Sequence, residues 1–271
     1  MAEIKKPVTK KTAAPKLADP VGSSIDIGTQ EMIARAQKMG IDTIFDRAAQ
    51  MKPCNIGIQG ICCKNCAMGP CRLPLPKGGI EGEDTRKGLC GATANTIAAR
   101  NFIRMIAGGA AAHSDHGRCV AEVFLSAARK ETEAYKIKDV NKLLSIAPHF
   151  DVATTVDVDG ETQDRNVDEI ALEVAEKALA EWGKPEGELY YLKRAPEPLY
   201  EKWKKTGVLP RNIDREIVEV MHRTHMGVDQ DYKNLIKQGT RASLADGWGG
   251  SMLATDLQAV SYTHLTLPTN R

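Results

Sequence analysis

Six of the seven cysteines in this chain fall between Cys54 and Cys90, in the run CNIGIQGICCKNCAMGPC and, after an interval, in GLCG. Thiols at that density constrain the fold more than any other feature, because a loop must form that brings several of them together. Four soft thiolates so close in sequence suit an iron–sulfur cluster or zinc. Gly57, Gly60, Gly69 and Gly91 beside them let the backbone turn sharply and carry N–H groups towards sulfur, which stabilises the negative charge of a cluster and tunes its potential. Residues 53–91 are therefore expected to form an irregular binding loop.

The adjacent pair Cys62 and Cys63 divides the set. Neighbouring side chains in an extended or turning segment point to opposite sides of the backbone, so one centre seldom takes both. The simplest assignment gives Cys63, Cys66, Cys71 and Cys90 to one [4Fe–4S] cubane, which needs four ligands and commonly takes two from a C-x-x-C start. Cys54 and Cys62 remain as a pair, and a two-fold axis would make four ligands of two such pairs. The plain alternatives are a structural zinc module, a disulfide framework and buried reduced thiols. Zinc knuckles usually carry two C-x-x-C-like pairs where this loop has one. A disulfide framework fits less well in a chain of 271 residues with no secretory signal.

The match to known sequences extends beyond the cysteines. GICCKNCAMGPCR (Gly60 to Arg72), GLCGATANTIAARN (Gly88 to Asn101), AAAHSDHGR (Ala110 to Arg118), HMGVDQD, and SLAD (Ser243 to Asp246) make the chain similar to the anaerobic, nickel-dependent carbon monoxide dehydrogenases. The resemblance implies that Cys63, Cys66, Cys71 and Cys90 match the ligands of a [4Fe–4S] cluster within the subunit. It implies that Cys54 and Cys62 match the ligands of a second Fe–S cluster, shared across a homodimer. His113 would lie beside a nickel–iron centre as acid/base, with His116 next on a proton path. Many members continue that path with further histidines, whereas this chain has Cys119 and Glu122; Glu122 reads as solvated surface and Cys119 as a buried or partly buried thiol.

The same resemblance implies a much longer parent enzyme that interconverts CO and water with CO2, two protons and two electrons. Two further α/β domains would hold most of its Ni–Fe–S cluster, so this chain alone, an N-terminal part covered from about Ser24 to Leu257, is expected not to oxidise CO. Implied partners are a second copy, a ferredoxin-like electron acceptor and an acetyl-CoA synthase subunit. A hydroxylamine reductase-like hybrid-cluster protein is an alternative, but it leaves the CC pair and the HSDHG segment unexplained. A non-enzymatic Fe–S electron carrier is another, and needs nothing outside this chain.

Composition excludes other classes. With 42% hydrophobic and 27% charged residues and a formal charge of +2, the chain lacks the basic footprint of a nucleic-acid binder. No apolar run reaches the ~20 residues of a membrane helix, and a cytoplasmic location is expected. Residues 1–24, rich in lysine, proline, alanine and threonine, are expected to be a disordered tail. Residues 258–271 resemble translated sequencing-adapter text, and the last stretch from about Val260 shows no helical stripe.

Between these ends the periodicity predicts a mainly α fold, a single helical domain over residues 25–257 with the cluster loop at an edge. One helix is expected from Thr29 as N-cap to a stop at Gly40, with Met32 and Met39 as core filler; a second carries Ile41, Ile44, Phe45 and Ala48. After Cys90 a helix is expected with Ala98, Phe102, Met105 and Ile106 as its buried stripe and Gly108–Gly109 as its end, which places the cysteine loop at a helix N-terminus. A further helix runs through Val120, Phe124 and Ala127 and puts His113 and His116 on one face. A short helix at Leu143 and Ile146, a strand and turn in VATTVDVDGET, a helix capped by Asn166 and Glu169, and a helix from Tyr232 to Ala245 complete the pattern. His222 and His225 are read as helix-end residues with no metal to hold.

Overall fold

A computed structural model describes residues 17–261, which fall into two compact units that part between Ile58 and Gln59, inside the cysteine loop. The sequence had suggested one domain. The fold is mainly α, and among the described residues no helix is long and apolar enough to cross a membrane.

The first unit holds α1 (Pro20–Ser23), α2 (Ile27–Lys38) and α3 (Ile44–Gln50). Asp19 caps α1, so residues 17–24 are folded rather than part of a disordered tail; residues 1–16 lie outside the described residues. The cap of α2 is Asp26, not Thr29: its carboxylate accepts from the Thr29 N–H at 2.6 Å and the Thr29 hydroxyl at 2.7 Å. An ionised carboxylate outcompetes a hydroxyl for the free N–H groups of a first turn. Gly40 follows the helix at φ +68°, the left-handed stop that glycine supplies without steric cost. Met32 and Met39 are each 61% exposed and fill no core in this unit, where Ile33 is the buried side chain of α2. Ile41, at 51%, and Ile44, at 66%, are likewise exposed. The centre of this unit is polar. Asp46 closes a capping box with Thr43 at the head of α3 and accepts from the Ala18 N–H at 2.9 Å, and these hydrogen bonds, Thr43 first, hold its carboxyl far below the ordinary range.

The second unit is built around one long helix. After the two-residue strands β1 (Cys62–Cys63) and β2 (Cys71–Arg72), α4 runs unbroken from Ala94 to Ala128. Around it stand α5 (Val140–Ile146), the hairpin β3 (Thr155–Val158) and β4 (Glu161–Asp164), α6 (Val167–Ala180), α7 (Glu197–Thr206), α8 (Ile213–Arg223), α9 (Tyr232–Leu244), a π-helix (Ala245–Met252) and α10 (Leu253–Ser261). α4 packs on α6, α8, α9, α10, the π-helix and β1. That packing carries it through Gly108–Gly109, which did not end it although each helical glycine costs about 1 kcal/mol relative to alanine.

The buried stripe of α4 also differs from the expected one. It runs through Ile97, Arg100, Ile103, Ala107, Ala110, Ser114, Gly117, Ala121 and Phe124, while Phe102 is 51% and Met105 70% exposed. Between Ile103 and Phe124 the inward positions are all small residues, and Arg100 takes one nearer the head, so over that stretch side-chain size pointed to the wrong face. Phe124 joins Leu143, Ile146, Phe150, Ile170, Val174 and Leu257 in the main core, and Ile103 joins Val220, Leu235 and Ala242 in a second. Asn166 caps α6 through the Asp168 N–H at 2.8 Å rather than through a box with Glu169. α10 continues past residue 257 to Ser261, with Val260 fully buried, so the fold does not stop where the foreign tail was placed; residues 262–271 lie outside the described residues.

Candidate functional site

The cysteine loop folds by pairing β1 antiparallel with β2, which sets Cys63 directly opposite Cys71 and Cys62 opposite Arg72. Alternation along a strand then separates Cys62 from Cys63, as the adjacent pair required. Gly69 closes the turn between the strands. A Cβ there would meet the Cys63 carbonyl oxygen at 3.1 Å and the Cys71 nitrogen at 3.2 Å, so a larger residue would spread the loop. From α4, the Asn101 amide donates to the carbonyls of Gly60 at 2.9 Å and Cys62 at 3.0 Å and ties the loop to the helix.

Cys63, Cys66, Cys71 and Cys90 line one cavity of about 60 Å³ at the head of α4, together with Asn65, Ile97, Arg100, Thr224 and Met226. Among the described residues no three His, Cys, Asp or Glu side chains converge as they would on a single metal ion. N–H groups point at the sulfurs: Leu89 N–H approaches Cys71 Sγ at 3.4 Å and Arg100 Nη1 approaches Cys90 Sγ at 3.5 Å. Burial works to raise the Cys90 thiol, but the Arg100 guanidinium and the N–H groups of Ala92 and Gly227 outweigh it and bring it down to about 7. A thiol so lowered carries far more thiolate at neutral pH than an ordinary cysteine does, and thiolate is the form that binds metal.

Arg100 is 1% exposed. Its Nη2 donates to the Asp229 carbonyl at 2.7 Å, and its Nε has no partner. The one other buried side-chain polar atom without a partner among the described residues is Asn65 Nδ2, and both residues line the cysteine cavity. A buried guanidinium stays charged, and leaving it uncompensated costs several kcal/mol. The cavity thus has the donor set for an anionic guest with sulfur acceptors, and a cluster held by four thiolates fits it.

The lid over this cavity comes from the HMGVDQD segment, to which the sequence assigned no chemistry. Gln230 Nε2 donates to the Cys90 carbonyl at 2.7 Å, and the Thr96 hydroxyl to the Gln230 carbonyl at 2.7 Å. Asp229 is held by Arg223 at 3.0 Å, and Arg223 leads through Glu219 to Arg211 and the buried Glu216. His222 and His225 are exposed at the end of α8, as read. The signal that could have found Arg100 is its phase: it lies between Ile97 and Ile103, where a charged residue needs a partner.

The remaining predicted residues do not line this cavity. Cys54 is exposed in the first unit, with the Gly57 N–H 3.4 Å from its sulfur, whereas Cys62 belongs to the second unit. His113 and His116 are both exposed on α4, and His113 Nδ1 meets Asp246 Oδ1 of the π-helix at 2.6 Å. The π-helix comes close because Gly117 faces Gly250: a Cβ on Gly117 would lie 3.1 Å from the Gly250 carbonyl. Cys119 is exposed, not buried, because it falls off the inward stripe between Gly117 and Ala121. Glu122 is a surface residue paired with Arg118 at 2.7 Å.

A family model described as the Prismane/CO dehydrogenase family matches residues 61–270. The chain belongs to that family. It is 47% identical over 241 residues to carbon monoxide dehydrogenase 1 of Methanosarcina acetivorans, covering 88% of this chain and 36% of that protein. With carbon monoxide dehydrogenase 2 of Carboxydothermus hydrogenoformans it shares 39% over 242 residues, 88% of this chain and 36% of the relative. The as-isolated, Ni-free carbon monoxide dehydrogenase from Thermococcus sp. AM4 superposes with a TM-score of 0.74 at 46% identity, over 91% of this chain and 37% of that one. The chain thus spans about a third of the length of these relatives. Carbon monoxide dehydrogenase kinship makes it part of an oxidoreductase family and does not favour the hybrid-cluster alternative.

Proposed function

We infer that this chain is the N-terminal part of an anaerobic carbon monoxide dehydrogenase. In this reading Cys63, Cys66, Cys71 and Cys90 hold a [4Fe–4S] cluster, while Cys54 and Cys62 combine with their counterparts in a second copy to hold another. The observation that carries it is the cavity itself: four thiols share it with a buried cation and an amide, each of which has one buried nitrogen without a partner. Identity of 47% to a carbon monoxide dehydrogenase supports the reaction class, the interconversion of CO and water with CO2, protons and electrons. When bound, such a cluster supplies one-electron transfer.

The chain's own residues do the rest. The four thiolates bind, Leu89 N–H and the Arg100 guanidinium stabilise sulfur charge, and the buried Thr224 lines the cavity beside them. Asp246 accepts from His113 Nδ1, which fixes the tautomer and leaves Nε2 to take up or release a proton. His116, one turn further along α4, is the next group on the proton path. The acceptor of the electrons in this reading is a ferredoxin-like protein, the enzyme is a cytoplasmic homodimer, and an acetyl-CoA synthase subunit is a further partner.

The test is anaerobic purification of the enzyme that contains this chain, with CO-dependent reduction of a viologen dye. Activity supports the reading; a fully metallated enzyme that reduces no dye under CO sinks it. Cys54→Ser in that enzyme is expected to remove one cluster per dimer, and loss of one cluster per chain would refute the shared site.

A further inference from the structure

The strongest unassigned feature is a cation buried against the cysteine cavity. Arg100 is 1% exposed, takes part in no ion pair with a carboxylate among the described residues, and directs its Nη1 to Cys90 Sγ at 3.5 Å. Its Nη2 is anchored on the Asp229 carbonyl at 2.7 Å, and Asp229 is in turn gripped by Arg223 at 3.0 Å. The guanidinium is thus fixed in place from behind while its Nε stays buried without a partner, and the second such donor, Asn65 Nδ2, also belongs to a residue lining the cavity. A surface arginine would be screened by water; this one is not.

We propose that Arg100 is the positioning and potential-setting residue of the cluster held by Cys63, Cys66, Cys71 and Cys90, with Asn65 as a second, uncharged donor. This rests on the cubane reading above. Reduction adds one electron to an already anionic group and makes or breaks no bond, so the reduced form gains more from a nearby fixed positive charge than the oxidised form does. Arg100 therefore raises the midpoint potential and eases uptake of an electron. Asn65 does so by N–H donation alone, and less.

The test is a potentiometric titration of the anaerobically purified enzyme containing this chain, poised with dithionite and viologen mediators and read by EPR. Arg100→Gln is expected to disfavour reduction at least tenfold, about 59 mV in a one-electron midpoint. Arg100→Lys, which keeps the charge, should recover most of that shift, and Asn65→Leu should disfavour reduction about threefold. A structural role alone would change iron content without moving the midpoint of the clusters that form. An unchanged midpoint in Arg100→Gln with the cubane intact overturns the proposal. Should that variant lose its iron, a lowered midpoint in Asn65→Leu supports the proposal and an unchanged one overturns it. Failure of the cubane reading looks different: the unmodified enzyme would then lack the cluster signal altogether.

Discussion

At its head α4 presents Arg100, 1% exposed, to a cavity walled by four thiols, a two-stranded ribbon and a loop stapled down by Gln230. About three and a half turns on, the same helix presents His113 with 56% of its side chain exposed and one partner, Asp246, reaching in from the π-helix. The head is lined by residues of this one unit around a buried cation, whereas the middle offers an oriented group on an open face. The difference teaches what each region can do alone. A site whose ligands, counter-charge and lid come from one compact unit can assemble within it; an oriented histidine on an open face works only with a reacting group brought to it.

Perturbing the head should have the largest effect. Cys66→Ser substitutes a harder oxygen for a thiolate on the cavity wall and is expected to abolish or distort the four-iron signal. An unchanged iron content and spectrum would erase the distinction between the two regions. In the middle of the helix, His113→Ala is expected to lower CO oxidation by about 10²- to 10⁴-fold while metal content stays level. Activity retained within a few-fold would remove His113 from the reaction.

A stability experiment sharpens the contrast from outside both regions. Glu216 is fully buried and held by Arg211 and by Gln238, whose amide donates at 2.7 Å. Burial tends to raise its carboxyl, but Arg211 more than offsets this, and Glu216 and Glu219 both lie below the ordinary value of 4.5. Their contribution is therefore whole above pH 4.5 and is lost as pH falls through the lowered values. Glu181, raised by burial, has the opposite sign and regains stability as pH falls. Glu216→Ala should cost about 3 kcal/mol, the low end for a broken buried pair because water reaches the Arg211 left behind. Denaturant unfolding followed from pH 7 down through the lowered carboxyl range checks both the cost and its decline in acid, and a cost that does not fall as the pH is lowered would remove the ion pair from the account.

The cysteine pattern was legible because ligand chemistry depends on residue type and spacing, which a sequence displays. Opposition of Cys63 to Cys71 agrees with the split of the adjacent pair. The inward face of α4 was not legible, since alanine, glycine and serine carry little hydrophobic signal and Phe102 and Met105 point outward. Nor were the partners of the site. Arg100 meets Asp229, and His113 meets Asp246, across more than a hundred residues of chain, and only the packing of α8, α9 and the π-helix on α4 joins them. The helix at Gln258 to Ser261 was hidden for a similar reason: Val260 is buried by α5 and its neighbours, not by a stripe of its own.

The central claim is that the head of α4 and its loop form a complete four-thiolate site. Its most direct test leaves only those four cysteines in place. The enzyme carrying Cys54→Ser, Cys62→Ser and Cys119→Ser in this segment, purified without oxygen, is examined by ⁵⁷Fe Mössbauer spectroscopy and by EPR on reduction, with zinc measured alongside. The account predicts a cubane of about four irons in this segment, reducible by one electron and lost when Cys66→Ser is added. Zinc in place of those irons, or a spectrum that Cys66→Ser leaves unaltered, would contradict it.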